Sequence, residues 1–242
     1  MANINELKLK LISEAQGSKR GLPFKKLAVN HQSQEFIIKD GEIEKPLGKQ
    51  VEIFVVGEFS QYFYFDPKLE RITILSQIKR PFEIKNAIDL KSGKPISQLI
   101  EKLKQQGLKP TYTTILVVLI KEGDKWEEGI FYIKGALLQS WLEITKELQG
   151  YGATPISNLL KLTLKAQKKG AVKYSTLALS EYNECEDENI LAKGVLLLDK
   201  FKEEVKKYNA YEPQPEDLPV EPGEDTDINS EAVEFWLNIC RA

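Results

Sequence analysis

The chain of 242 residues has few of the side chains that bind metals or form cross-links. It contains one histidine, His31, and two cysteines, Cys185 and Cys240, which are far apart in the sequence. Structural zinc sites take four ligands, mostly of these two residue types, and a disulfide framework needs several cysteines. The sequence therefore argues against a zinc site and a disulfide scaffold, and it favours a cytoplasmic protein.

Motifs of common enzyme classes and of membrane proteins are also missing. There is no GxxxxGK[ST] or GxGxxG phosphate loop and no HExxH or CxxC motif. His31 lies in a polar segment, where a surface histidine is far more common than a catalytic base. The longest apolar run, residues 115–120, has the length of a strand rather than of a membrane span. We therefore predict a protein without catalytic activity, cofactor, metal site or membrane segment.

Basic residues are almost absent from the last 31 residues. Residues 212–242 contain nine acidic residues and one basic residue, Arg241, which gives a net charge of −8. The first 211 residues contain 27 acidic and 33 basic residues, a net charge of +6. Four prolines between positions 213 and 222 are typical of a linker. This distribution predicts a basic body that attracts a polyanion and an acidic tail that competes with it. The alternative is a solvated tail that only aids solubility.

Apolar periodicity predicts a mainly β protein with helices, of the α+β class. β-Prone runs meet at short turns such as Asp40-Gly41 and Gly123-Asp124, which favours antiparallel pairing. Gly57 within such a run predicts a bulge or a sharp bend. Residues 158–182 form a good candidate for a further hairpin, with a basic tip.

Three helices are predicted, over residues 95–107, 136–150 and 189–208, and Trp141 belongs to an apolar stripe that faces the core. Five or more strands with a helix between the third and the fourth form the layout of a five-stranded antiparallel Greek-key barrel of the OB type. Residues 35–43 and 50–65 would supply the first strands. We divide the chain into an N-terminal arm, an OB-like domain, a C-terminal helix and an acidic tail, over residues 1–30, 31–182, 183–211 and 212–242.

Aromatic and lysine-rich segments on this β scaffold point to a surface for a nucleic-acid single strand. Aromatic rings stack on bases and lysines neutralise phosphates, whereas the alternative is an ordinary tyrosine-bearing sheet with solvated turns. Tyr132 and the pair Tyr62 and Tyr64, which share one face of a strand, are candidate stacking residues. Three basic turns each lie beside an aromatic residue, and their candidates are Lys79, Arg80, Lys121, Lys125, Trp126, Lys165, Lys168, Lys169, Lys173 and Tyr174.

Residues 129–180 resemble the second half of OB-fold single-stranded DNA-binding proteins of bacteriophages and mobile elements. The order is IFYIKG, a helix with SWLEITKEL, and then ATPISNLLKLTLKAQKKGAVKYSTLALS. The resemblance implies sequence-independent binding of single-stranded DNA in replication or recombination, in a host cytoplasm. It also implies recruitment of replication proteins by the acidic tail, for which Phe235 and Trp236 are the candidate contacts. Tails of that class end in an acidic run and a hydrophobic residue, whereas this chain ends NICRA.

Three rival functions stay open at this point. A phage structural or interaction protein could use a β-barrel to bind protein, and its binding would not respond to salt. A single-stranded RNA-binding module is equally compatible with base stacking. An enzyme of nucleic-acid metabolism with a site built on acidic residues would show metal-dependent turnover.

Overall fold

The structure, a computed structural model, describes residues 21–210. The first 20 residues of the predicted N-terminal arm, residue 211, and the acidic tail of residues 212–242 with Phe235 and Trp236 lie outside the described residues.

Nine strands and three α-helices make up residues 21–210. The strands are β1 (Lys25–Asn30), β2 (Glu35–Asp40), β3 (Ile43–Gly48), β4 (Gln50–Asp66), β5 (Arg71–Leu75), β6 (Thr111–Glu122), β7 (Lys125–Ile133), β8 (Asn158–Lys169) and β9 (Val172–Glu184). The helices are α1 (Ile96–Gln105), α2 (Gly135–Gly150) and α3 (Glu188–Asn209), and a 3-10 helix covers Pro81–Asn86.

The nine strands form one mixed sheet, so the predicted α+β class is confirmed. The strand order is β3-β2-β1-β7-β6-β4-β8-β9, and β5 pairs with the far end of β4. Neighbouring strands are antiparallel except β1 and β7, which are parallel. The five-stranded barrel is not confirmed, because the sheet has nine strands and is not closed. Residues 25–30, which the sequence assigned to an N-terminal arm, form β1 because they find a partner in β7.

Strand β4 organises the sheet through its length and its bend. Its 17 residues pair with β6 along one edge, while the other edge pairs with β8 near Gln50 and with β5 near Asp66. The β4–β6 register shifts between Val55 and Gly57, which confirms the predicted bulge. A bulge increases the local twist of a strand, so the two ends of β4 can belong to different ladders.

Apolar side chains pack on both faces of the sheet. On one face α2 contributes Trp141, which is fully buried as the sequence predicted. On the other face α3 contributes Leu197 and Phe201. The centre of the Phe201 ring lies 5.6 Å from the centre of the Phe24 ring and 4.7 Å from that of the Phe59 ring. Helix α2 therefore covers one face of the sheet and helix α3 covers the other, so the fold has three layers.

The outer edge of β9 is covered by side chains instead of a further strand. The backbone N–H of Leu177 donates to Oγ of Ser140 at 2.9 Å, and that of Ser175 donates to Nδ1 of His31 at 3.2 Å. Capped N–H groups cannot pair with another chain, which protects an edge strand from association. His31 thereby connects the β1–β2 turn to β9, although several strands separate them in the strand order.

Candidate nucleic-acid interface

The hairpin of β8 and β9 extends beyond the body of the protein. Its last pairing with β4 joins Thr163 to Gln50, after which β8 and β9 pair only with each other. We call residues 165–174 the basic arm. Beyond the contact of Ser175 with His31, three residues of each strand, 167–169 and 172–174, extend by roughly 10 Å at about 3.3 Å per residue. Residues 165–171 and Lys173 are exposed, so the arm presents both of its faces to solvent.

The basic arm has four positive charges and no acidic residue. Its lysines are Lys165, Lys168, Lys169 and Lys173. Within residues 21–210 none of these four side chains forms an ion pair. Their charge is therefore available to a polyanion without the loss of an existing contact.

The register of the arm places like charges opposite each other. Lys168 pairs with Lys173, on the face that continues from the core pair of Leu164 and Leu177. Directly opposed like charges destabilise an antiparallel ladder. A phosphate bound between the two ammonium groups would remove that repulsion.

The other face of the arm carries the remaining lysines together with an aromatic ring. Tyr174 lies opposite Gln167, and Lys165 and Lys169 flank that pair on the same face. The turn between the strands begins at Gly170, whose φ of +61° is easily reached only by glycine. The arm thus offers a half-buried tyrosine beside two exposed ammonium groups, which is the combination that binds a base and its phosphates.

At the β6–β7 turn, a second predicted basic site, one of the two lysines has an acidic partner. Lys121 forms an ion pair with Glu52 at 3.1 Å, and its ammonium group lies 5.8 Å from the centre of the Trp126 ring. Trp126 is partly buried against the α3 core, and its backbone oxygen accepts a hydrogen bond from Lys193. Lys125 is exposed at this turn. Trp126 therefore serves packing, and Lys121 has less charge to offer than the lysines of the arm.

The third predicted basic site, Lys79 and Arg80, is held against β4. The backbone groups of Lys79 and Ser60 exchange two hydrogen bonds of 2.7 and 3.1 Å. The Arg80 guanidinium lies 4.3 Å from the centre of the Phe59 ring and donates to the backbone oxygen of Glu58 at 3.3 Å. Two residues further on, Phe82 is 80% exposed. This segment presents a fixed arginine next to an exposed ring.

Three of the predicted stacking residues are occupied with packing. Tyr64 is only 9% exposed. Tyr62 packs edge-on against Tyr112, with ring centres 5.0 Å apart, beside the buried side chain of Ile84. Tyr132 packs against the α3 core, and burial raises the pKa of its hydroxyl far above the usual value. We therefore correct the sequence interpretation for Tyr64, whose ring is buried, whereas Tyr132 is half-buried and packs against the α3 core.

Sequence reasoning did not name Lys49, and it named Phe82 only as the aromatic neighbour of Lys79 and Arg80, not as a site residue. Lys49 lies at the base of the arm, where its backbone oxygen accepts a hydrogen bond from Leu164 at 3.0 Å. Nothing local marks it, because the contact joins residues 115 positions apart. Phe82 does have a local signal, since it follows Lys79, Arg80 and a proline, but the sequence cannot show that its ring is exposed.

Other chemistry is not indicated in the part of the chain that the structure describes. Between residues 21 and 210 there is no group of three or more histidine, cysteine, aspartate or glutamate side chains that could hold a metal ion. In the same range, no helix has both the length and the apolar character needed to cross a membrane.

Comparison with known proteins found no relative of this chain. No family model matches the chain, and neither a curated protein nor a solved structure matches it significantly.

Proposed function

We propose that the chain is a sequence-independent single-stranded DNA-binding protein, and that the basic arm is its main contact with the phosphate backbone. The observation that supports this most directly is the set of four lysines on the arm, all without an acidic partner in residues 21–210. Lysines that neutralise phosphates release counterions, which is the main source of affinity without sequence preference.

A role in phage or plasmid replication or recombination rests on the resemblance of residues 129–180 alone. Under that role, Phe235 and Trp236 in the acidic tail recruit replication proteins. Both residues lie outside the described residues, so their part remains a prediction.

The strand order supports an elaborated OB-type core as part of this proposal. Strands β4, β6 and β7 are followed by α2 and then by β8 and β9, and β4 pairs with both β6 and β8. This is the order of five strands and one helix in an OB fold. Strands β1 to β3 are then additions to this core, and β1 pairs with the edge of β7. At β9, the hydrogen bond from Ser175 to His31 takes the place of a strand ladder along the outer edge.

A fluorescence titration at two salt concentrations tests the proposal with oligo-dT, duplex DNA and RNA. The logarithm of the affinity for oligo-dT should fall with the logarithm of the salt concentration, with a slope of about −0.7 for each phosphate contact. The double variant Lys168→Gln/Lys173→Gln removes two contacts, so its slope should be less negative by about 1.4.

The matched control is Lys206→Gln/Lys207→Gln on α3, which removes the same charge from exposed lysines that are paired with Glu203 and Glu204. It should leave the slope nearly unchanged. Equal effects of the two double variants would show that net charge, and not the arm, determines binding. Tighter binding to duplex DNA, or binding that ignores salt, would contradict the proposal. Preference for RNA would favour the RNA-binding alternative.

A further inference from the structure

Helix α3 exposes apolar side chains on the face that points away from the sheet. Leu191, Val195 and Leu196 are 39%, 61% and 70% exposed, and Ala192 is exposed between them. Leu191 and Val195, like Ala192 and Leu196, are four residues apart and therefore neighbours on the helix surface. We call these four residues the α3 patch. A soluble protein that exposes a contiguous apolar patch of this kind commonly uses it for an interaction.

A second apolar group lies in the same chain, near the end of the acidic tail. Val233, Phe235, Trp236 and Ile239 follow a proline-rich acidic segment. We propose that these four residues bind the α3 patch of their own chain. Transfer of apolar surface from water is favourable at roughly 25 cal/mol per Å², and aromatic side chains contribute the largest areas.

The length of the connecting chain fits this contact. Val195 lies 14 residues before Asn209, the last residue of α3, which is about 21 Å along the helix axis at 1.5 Å per residue. The 23 residues between Asn209 and Val233 would have, as a flexible chain, an average end-to-end distance of about 25 Å. A linker whose average length equals the distance to be spanned gives the highest effective concentration, on the order of millimolar.

This effective concentration favours the chain's own tail over the tail of a second copy. A second copy would have to be present at millimolar concentration to compete equally for the α3 patch. A replication protein that binds Phe235 and Trp236 would have to displace them from the patch. Nucleic acid takes no part in this contact, so the measurement below is made without it.

The emission of Trp236 in the full chain tests the contact. Subtracting the spectrum of Trp236→Phe from that of the unchanged protein isolates this tryptophan from Trp126 and Trp141. We expect a blue-shifted emission that does not change when the protein is diluted. Leu196→Asp should shift this emission to the red, because it places a charge in the patch. Leu142→Asp is the matched control: it makes the same change at a leucine of α2 that is 51% exposed, and the emission should stay blue-shifted.

Hydrogen exchange of residues 191–198 provides the second readout. Phe235→Ser should increase exchange there to the same extent as Leu196→Asp, although position 235 is not part of α3. If the Trp236 emission is that of a solvent-exposed indole, or is unaffected by Leu196→Asp, the proposed contact is wrong. If the blue shift is lost on dilution, the tail binds a second copy and the intramolecular contact is also wrong.

Discussion

Gly194 of α3 lies so close to Val56 of β4 that a Cβ atom at position 194 would be 2.8 Å from Cγ1 of Val56. The same Cβ would be 3.1 Å from Cε1 of Phe54. On the strand side, a Cβ at Gly57 would be 2.8 Å from Cδ1 of Leu198. Two glycines, one on each element, therefore let the helix approach the bulged strand closely.

We predict that Gly194→Ala destabilises the protein. Overpacking a core contact costs about 1–3 kcal/mol, and the better helix propensity of alanine offsets about 1 kcal/mol of this. The net loss should be about 1 kcal/mol in the free energy of unfolding, measured by urea denaturation. Gly150→Ala at the end of α2 is the control, because a Cβ there meets nothing within 4 Å. It should be neutral or stabilising. A stabilised Gly194→Ala variant would show that the helix can move away from the strand at no cost.

The contact between His31 and β9 leads to a pH-dependent stability. Nδ1 of His31 accepts the N–H of Ser175 and must therefore be unprotonated. Burial, followed by the positive charge of Lys134, lowers the pKa of the imidazole below 6.5. The unfolded chain consequently binds this proton at a higher pH than the folded chain does. The stability due to the contact is complete above pH 6.5 and decreases as the pH falls below that value.

We expect the free energy of unfolding to decrease between pH 7 and pH 5, and His31→Ala to lose part of this dependence. The effect should be small, at the lower end of about 0.5–1.5 kcal/mol, because His31 is exposed over much of its surface. His31→Asn keeps a side-chain oxygen that can accept a hydrogen bond but has no group that titrates. It therefore separates the contribution of the hydrogen bond from that of the imidazole charge. An unchanged pH dependence in both variants would show that other groups cause it.

The carboxyl group of Glu58 should make the stability of the protein depend on pH in the opposite direction. It lies opposite Leu116 on the sheet face that α2 covers, and burial raises the pKa of its carboxyl above 4.5. The nearby Trp141 indole opposes this shift, although its Nε1–H makes no hydrogen bond of ordinary geometry. The folded state therefore holds this proton more tightly than the unfolded state, and stability is lost as the pH rises above 4.5.

We predict that Glu58→Gln is more stable than the unchanged protein at pH 7 and that the difference disappears near pH 4. Melting temperatures across this range give the measurement. Glu143→Gln, at an exposed position of α2, is the control and should show no such trend. A Glu58→Gln variant that is less stable at pH 7 would mean that the contact of the carboxylate with the Trp141 indole outweighs the cost of burying its charge.

Local sequence signals predicted the local structure well. The Asp40-Gly41 turn, the bulge at Gly57 and the buried position of Trp141 depend on backbone preference and periodicity over a few residues. The basic turn of residues 167–173 was also predicted, because glycine and lysine mark such turns.

Long-range pairing was not predictable from these signals. Sequence periodicity does not show that β1 pairs with β7, or that Glu52 neutralises Lys121 from 69 positions away. The three basic turns looked equivalent in the sequence, but the fold pairs Lys121 with Glu52 and holds Arg80 against the Phe59 ring, while the lysines of the arm keep no acidic partner among residues 21–210. The burial of Tyr64 and Tyr132 depends on the same distant contacts.

Two aromatic residues, Tyr174 and Phe82, remain available to stack on bases. Tyr174 lies on the basic arm, and Phe82 is 80% exposed beside Lys79 and Arg80. Replacement of a stacking residue by alanine weakens binding by about 1–3 kcal/mol for each base. Both Tyr174→Ala and Phe82→Ala should therefore lower the affinity for long oligo-dT. Phe82→Ala should leave the melting temperature unchanged, since its ring is in solvent.

Oligonucleotide length should separate the two residues. Lys79 pairs with Ser60, which is ten residues along β4 from Gln50 at the base of the arm, or roughly 30 Å of strand. A short oligo-dT bound at the arm cannot also reach Phe82, so only Tyr174→Ala should weaken its binding. Tyr151→Ala is the control, because that ring is 67% exposed but stacks on Tyr182 away from the arm. If Tyr174→Ala lowers the melting temperature and leaves the affinity unchanged, Tyr174 is a packing residue, and the arm binds through its lysines alone.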